Sequence, residues 1–500
     1  MKYLLGIDNG GTFSKAALFD ENGNQISMHS APTTTITPKI GYVERNMDEL
    51  WEITAQVIRK TIEKSNIDPN QIKGVSFSGH GKGLYMVDYN GNPAYNAIAS
   101  TDTRAWEEVK KWYENGVNIK VYEKTYQEIL VTQPVSLLSW IKKNKKELLK
   151  NVKYIFSVKD YIRYKITGVA NGEYSDFSGS NLINLRTKNY DIELMSLFDL
   201  EDCYDKLPPL KHSIDVCGYV IKEVSEKTLL PEGTPVSAGM FDVNACGIAS
   251  GLINEKEMCM IAGTWSINEY ISKKPILNGT IQLNSFFCIP DYYLIEESSP
   301  TSAGNMQWFI EKIMNYEKEN VENIYELTNE MVESIEPQDT NVIFLPFLNG
   351  SNVNPLAKAT FIGLTSYHEK KHMLRAVYEG IVFSHITHIK RLLKNREKPK
   401  SIKLSGGAAN SDVWVQMFAD SLQIPIDVIE NKEMGAQGAA ISAGIAIGVY
   451  EDYESAIKRT VKITKTIYPR LEYKEIYEKK YNIYKSVIEN LNSVWDKFGN

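Results

Sequence analysis

LLGIDNGGTFSKAALFD, residues 4–20, is an apolar run ending in a carboxylate, a turn with two glycines, and a second apolar run. Two β-strands joined by a tight turn account for the pattern. A further turn, ENGN, and the run QISMHS at 25–30 add a third strand. Asp8 then stands at the tip of the first strand, beside a turn, Gly10-Gly11-Thr12, that carries little side chain. Such a turn is either a plain hairpin or an anion nest. In the nest, backbone N–H groups and a hydroxyl face a phosphate, with the carboxylate beside them available to a metal.

The same logic returns at residues 258–272, MCMIAGTWSINEYIS, where Gly263, Thr264, Trp265 and Ser266 match Gly11, Thr12, Phe13 and Ser14. Further on, IKLSGG at 402–407 echoes IKGVSFSG at 72–79. Two echoes in the same order point to a duplicated α/β domain, 1–250 and 251–500. Two such domains facing across a cleft each present a backbone turn to one ligand, and SGGAAN at 405–410 lets backbone approach a flat ligand closely. Between the echoes, MDELWEITAQVIRKTIEKS (47–65) has helical spacing, and helices dominate from about 101 to 170. GTPVSAGMFDVNACGIASGL (233–252) reads as a strand and a small-residue helix. YKEIYEKKYNIYKSVIENLNSVW (473–495) is a closing amphipathic helix.

Composition narrows the class. Five hundred residues predict at least two domains, and 43% apolar with 24% charged residues is ordinary for a soluble globular chain. A net charge of −6 argues against a nucleic-acid partner. The basic stretch IKKNKKELLK reads as a solvated helix face. With no apolar run long enough to span a bilayer and no signal-peptide pattern, the expectation is a cytoplasmic protein without a membrane partner. Five scattered cysteines without a CxxC fit a reducing compartment, as core thiols.

Competing motifs fail. GxxxxGK[ST] is absent, and GHGKGL at 79–84 completes neither that pattern nor GxGxxG. HEKKH at 368–372 matches the HExxH of zinc proteases, but Leu374, Val377, Tyr378, Ile381 and Val382 define the buried face of that helix. His368 and His372 are expected opposite it, in a solvated first turn rather than a zinc site.

The motif set resembles the FGGY carbohydrate kinases of the actin, hexokinase and heat-shock chaperone superfamily, over residues 3–490. The opening hairpin carries the resemblance together with SVKDYIRYKITG, EYSDFSGS, GTPVSAGMFDVNACGIASG, IAGTWS, YEGIVFSHITHI, LSGGAANSDVWVQMFAD and EMGAQGAAISAG. SGHGKGLYMVDYNG, QPVSLLSW, SPTSAGNMQWF and FLPFLNGSN are most similar to the L-xylulose kinase branch. The resemblance implies two duplicated actin-like (ribonuclease H-like) domains, sugar side first and nucleotide side second. It implies an ATP- and Mg2+-dependent kinase of a ketopentose, L-xylulose to L-xylulose 5-phosphate. D-xylulose, ribulose, erythritol and glycerol are alternative acceptors, and a homodimer is the default assembly. An actin-like ATPase and a non-catalytic sugar sensor are the readings from other classes.

Residue by residue, the resemblance makes Asp8 the metal-associated carboxylate, with Gly10, Gly11, Thr12 and Lys15 near the transferred phosphate. Gly263 and Thr264 form the second phosphate turn. Gly406, Gly407 and Asn410 lie at the adenosine, with Gly435 and Gln437 nearby. Asp242 takes the place of the catalytic base, and the sugar side draws on His80, Gly81, Lys82, Asp102, Arg104 and Asp242. Asp8 and Asp242 are expected at corresponding points of the two halves, with a turn or N-cap role as the plain alternative for either. Two departures stand out: Phe13 replaces a frequent hydroxyl, and HGKG replaces the Gln- or Met-containing loop of D-xylulose enzymes. In that loop His80 and Lys82 are expected to be exposed and to reach a ligand.

Overall fold

The computed structural model describes residues 2–263, 265–281, 283–314, 323–351, 354, 356–430 and 433–498. The opening hairpin forms as β1 (Tyr3–Asn9) and β2 (Phe13–Asp20), antiparallel with Asp8 opposite Lys15, and β3 (Gln25–Pro32) pairs with β2. Helix α1 (Met47–Ser65) starts where the Asn46 side chain accepts the amides of Asp48 and Glu49, both at 3.0 Å. It buries Leu50, Trp51, Ala55, Ile58 and Ile62, one face of a 3.6-residue period, against β2 and β3. β4 (Ile72–Gly79) returns parallel to β1, with Ser78 beside Asp8.

Farther along, β5 (Pro235–Ser237) and β6 (Met240–Phe241) pair with β4 in turn, both parallel to it. They are interrupted at Gly239, whose φ of +76° is costly for an L side chain. α2 (Asp242–Ala249) follows at once.

The second sheet repeats the plan. β7 (Cys259–Ala262) and β8 (Ser266–Ser272) form an antiparallel hairpin, Ala262 opposite Ser266. After α3 (Lys370–Leu392), β9 (Ile402–Ser405) lies parallel to β7 as β4 does to β1. Next come α4 (Asp412–Leu422) and β10 (Ile426–Ile429), parallel to β9. The chain continues through α5 (Met434–Ala446), β11 (Ile463–Ile467), antiparallel to β10, and α6 (Lys474–Trp495). Both sequence echoes are thus hairpin-plus-parallel-strand units.

The division into units is not a single cut. Residues 1–253, 271–295 and 433–461 form one compact unit, and 254–270, 296–432 and 462–500 the other. The expected boundary near 250, separating 1–250 from 251–500, misses the return of α5 to the first unit. The reason is steric: α5, MGAQGAAISAGIA, is small enough to lie directly on β1, β4 and α2. A Cβ on Gly438 would sit 2.2 Å from the Ala245 carbonyl oxygen, so only glycine permits that backbone approach.

Candidate functional site

In the first unit, the carboxyl ends of three neighbouring parallel strands share one register. Met240 of β6 pairs with Ser78 of β4, and Ser78 with Asp8 of β1. Asp8, the Gly79-His80 step and Asp242 are therefore delivered to one end of one sheet, the end where open α/β sheets bind ligands. Both carboxylates belong to this unit, as the 1–250 bounds already imply, so they do not stand at corresponding points of two halves. Asp242 is the first helical residue of α2 and half-exposed. The cap position is Phe241, without a side-chain capping bond, so Asp242 is not the N-cap.

Asp8 is part-buried, and its Oδ1 accepts the Ser78 hydroxyl at 2.7 Å. Burial raises its pKa, opposed by the Ser78 bond and the Lys15 charge. Lys15 Nζ is 3.0 Å from Glu433 Oε2. Burial disfavours the ammonium, but Glu433 outweighs it and the Lys15 pKa rises. Gly435 in the first turn of α5 is needed here: a Cβ would lie 2.8 Å from Cγ and Oδ2 of Asp8. The first turn is tight, Gly10 N–H donating to Phe13 O at 3.0 Å, and Gly11 and Thr12 are exposed. Arg45, which sequence reasoning missed, is buried behind it and donates to the carbonyls of Gly10 and Gly11. An arginine on the carbonyl side leaves the opposite side of the turn to amides.

The loop after β4 departs from expectation. His80 is buried, 6% exposed, not exposed, with its Nε2 at 3.1 Å from the Tyr85 hydroxyl. Burial, reinforced by the Arg45 charge, lowers its pKa to about 4, so it is neutral. Gly81 lies against the Phe241 ring, where a Cβ would approach to 2.6 Å. Lys82 is part-exposed with φ +66°. Asp102 and Arg104 are buried together. Asp102 accepts the Val43 amide at 2.6 Å and the Arg104 Nε at 2.9 Å, while Arg104 Nη2 reaches Glu44 at 2.8 Å. The Arg104 guanidinium also lies 4.2 Å from the Tyr42 ring centroid and 5.0 Å from that of Trp140, two rings that meet edge to face. Asp102 is thereby committed within the fold, and Arg104 Nη1 is left without a hydrogen-bond partner among the described residues.

In the second unit, Gly263 N–H donates to Trp265 O at 3.2 Å, one residue tighter than the Gly10-to-Phe13 bond of the first turn, and Ala303 N–H donates to Gly263 O at 2.9 Å. Thr264 lies outside the described residues. Gly406 packs behind this turn, where a Cβ would meet the Gly263 nitrogen at 3.0 Å. Gly263, Gly407 and Asn410 line a cavity of about 460 Å³ with Gln307, Tyr325, Asn329, Tyr378, Ser411 and Trp414. The Tyr378 and Trp414 rings lie 4.5 Å apart, and Asn329 Oδ1 accepts the Ser411 hydroxyl at 2.7 Å and the Tyr378 hydroxyl at 3.2 Å. Its size and aromatic wall suit a nucleoside. Sequence reasoning missed Tyr378, Trp414 and Asn329, although the first two stand inside quoted motifs. Gly435 and Gln437 do not line this cavity. They belong to the first unit, where Gln437 Nε2 donates to the Thr460 carbonyl at 3.2 Å.

The HExxH histidines do not both face solvent. His372 is 4% exposed and its Nδ1 accepts the Glu369 amide at 3.0 Å, part of the N-terminal cap of α3. His368 is spent on the Thr365 amide at 2.9 Å. Among the described residues no group of three or more His, Cys, Asp or Glu is arranged to hold a metal, and no helix is long and apolar enough to cross a membrane.

Comparison with known proteins fits this geometry. Residues 3–249 match the N-terminal domain of the FGGY family of carbohydrate kinases, and residues 258–447 match its C-terminal domain. The chain is 37% identical to a probable L-xylulose kinase of Haemophilus influenzae, covering 99% of this chain and 100% of that one. It is 34% identical to the L-xylulose/3-keto-L-gulonate kinase of Escherichia coli K12, covering 98% and 97%. In structure it resembles the gluconate kinase of Lactobacillus acidophilus with a TM-score of 0.90 at 23% identity, over 100% of both chains. With its N- and C-terminal domains both matched in order, the chain belongs to the FGGY family of carbohydrate kinases.

Proposed function

We propose that the enzyme transfers the γ-phosphoryl group of ATP to a hydroxyl of a ketopentose, L-xylulose first, giving L-xylulose 5-phosphate. The observation that carries the reaction is Asp242, a half-exposed carboxylate at the strand ends that also present Asp8. Phosphoryl transfer asks little covalent chemistry of a protein, only positioning, charge neutralisation and a group to accept the hydroxyl proton. Asp242 takes that proton as the bond to phosphorus forms, and it need not be strongly basic beforehand. The sugar follows from the two relatives named for L-xylulose. The cavity of the second unit receives the nucleoside between Asn410 and the Tyr378–Trp414 pair, and the Gly263 turn meets its phosphates. Magnesium is usually held by one or two carboxylates plus phosphate oxygens. Asp8 fits that role, since among the described residues a single side-chain bond, from Ser78, leaves acceptor capacity on its carboxylate. Such an ion would neutralise charge on the phosphates.

A second reading has one observation behind it. Lys82 places a part-exposed cation in the loop after β4, and a sugar acid would pair with it. The test is ADP release over a panel of L-xylulose, D-xylulose, ribulose, erythritol, glycerol and 3-keto-L-gulonate, with and without a chelator. L-xylulose should show the highest kcat/KM, and excess chelator should abolish turnover. In Asp242→Asn, kcat should fall about 10²- to 10⁴-fold with KM for the sugar little changed. A folded Asn variant within threefold of the parent would remove Asp242 as base.

A further inference from the structure

Asp242 follows a strand only two residues long, so something other than a long ladder must hold it. The N–H of Phe241, the residue immediately before it, donates to the Ser175 hydroxyl at 3.0 Å. Ser175 in turn donates to Glu173 Oε2 at 2.7 Å. Glu173 is fully buried, and its other oxygen accepts the Ser175 amide at 2.9 Å and the Ser213 hydroxyl at 2.9 Å. The ammonium of Lys159, also fully buried, lies 3.5 Å from Glu173 Oε2. Buried polar networks of this kind hold geometry firmly when their bonds are made. A hydroxyl whose proton is drawn toward a buried carboxylate is a better acceptor for a backbone N–H.

We propose that Ser175, polarised by Glu173, is a positioning residue that holds the Met240–Phe241 peptide, one residue before Asp242, and so aims the Asp242 carboxylate at the acceptor hydroxyl. The inference rests on the reading of Asp242 as base. Its signature is a loss in the chemical step without loss of binding, because neither side chain is exposed to reach a substrate. Near-attack geometry is sensitive at this scale: a displacement of about 1 Å is worth up to about 10²-fold in rate.

The experiment is a double-mutant cycle on the full-length enzyme, using L-xylulose and ATP, with thermal melting to confirm folding. Ser175→Ala should lower kcat about tenfold while KM for sugar and ATP stays within about twofold. In the Asp242→Asn background the same change should cost less than about twofold, because residues acting through one group are not additive. If Asp242→Asn is crippled but Ser175→Ala keeps the parent kcat, or if the two losses multiply, the positioning role is overturned while the base survives. If Asp242→Asn itself remains active, it is the reading of Asp242 that fails, and this inference with it. Should Ser175→Ala fail to fold, Glu173→Gln keeps the volume and removes the charge. It should lower kcat by about threefold or more at unchanged KM, and an unchanged kcat overturns the proposal.

Discussion

Asp8 is held on two sides by residues of different character. Ser78 orients one oxygen with a 2.7 Å bond, and Gly435 gives the carboxylate room by having no side chain. Gly435→Ala would place a methyl 2.8 Å from Cγ and Oδ2, inside any normal contact, so the carboxylate must turn or α5 must shift. Steady-state kinetics should show kcat/KM for MgATP reduced by about 10- to 100-fold, with KM for the sugar changed much less. Equal losses for both substrates would mean that the glycine serves packing alone. At this scale the type of a residue was legible more often than its environment. Asp8 and the two glycine turns drew a functional reading because the pattern recurs in the second half, and Asp242 drew one through the family resemblance, since a lone Asp or Gly at a strand end is ordinary turn chemistry. The environment of His80 was not legible, because a polar side chain beside glycines looks exposed, and only the fold buries it beside Tyr85, that burial and then the Arg45 charge keeping the ring neutral. The surroundings of Asp102 and Arg104 were hidden for a related reason. Two residues apart in sequence, they form with Glu44 a buried ion-pair group that sequence distance hides.

Among elements, α5 decides most. Its thirteen residues, MGAQGAAISAGIA, carry no large charged side chain and lie on β1, β4 and α2. Gly438→Ala drives a methyl into the Ala245 carbonyl at 2.2 Å, a backbone atom that cannot rotate away. The expected destabilisation is about 1–3 kcal/mol, read as a drop of several degrees in Tm. Thermal melting at equal protein concentration checks it, and an unchanged Tm would mean that α5 packs elsewhere. The elements themselves were largely legible. α1 spans 47–65, β4 spans 72–79 and the closing helix spans 474–495, because their periodicity and caps are local. The partner of α5 was not legible, since a small-residue helix advertises close packing without saying against what.

For the whole molecule, buried histidines set an acid limit. His80 is pushed down to about 4, His388 to about 3 and His385 well below its ordinary value, chiefly by burial. Between roughly pH 4 and 6.5 the unfolded chain binds protons that these native rings refuse, so stability rises with pH in that window and falls on acidification. Going from pH 7 to pH 5 should weaken the protein by about 1–2 kcal/mol for each such ring. His80→Gln should show a smaller drop in Tm over that interval than the parent, and an equal drop would mean His80 is charged in the folded state. The sequence by itself determined the family chemistry and the duplicated hairpin-plus-strand plan. Those depend on local signals: an apolar run, a carboxylate at its tip, a glycine turn, and their recurrence at 258–272 and 402–407. The tertiary structure alone decided that 433–461 belongs with the first unit, that Asp8 and Asp242 stand at the same end of one sheet, and that Ser175 reaches Phe241 across 66 residues. Strand order and close backbone packing are set by contacts between distant segments, and a linear pattern carries no record of which segments those are.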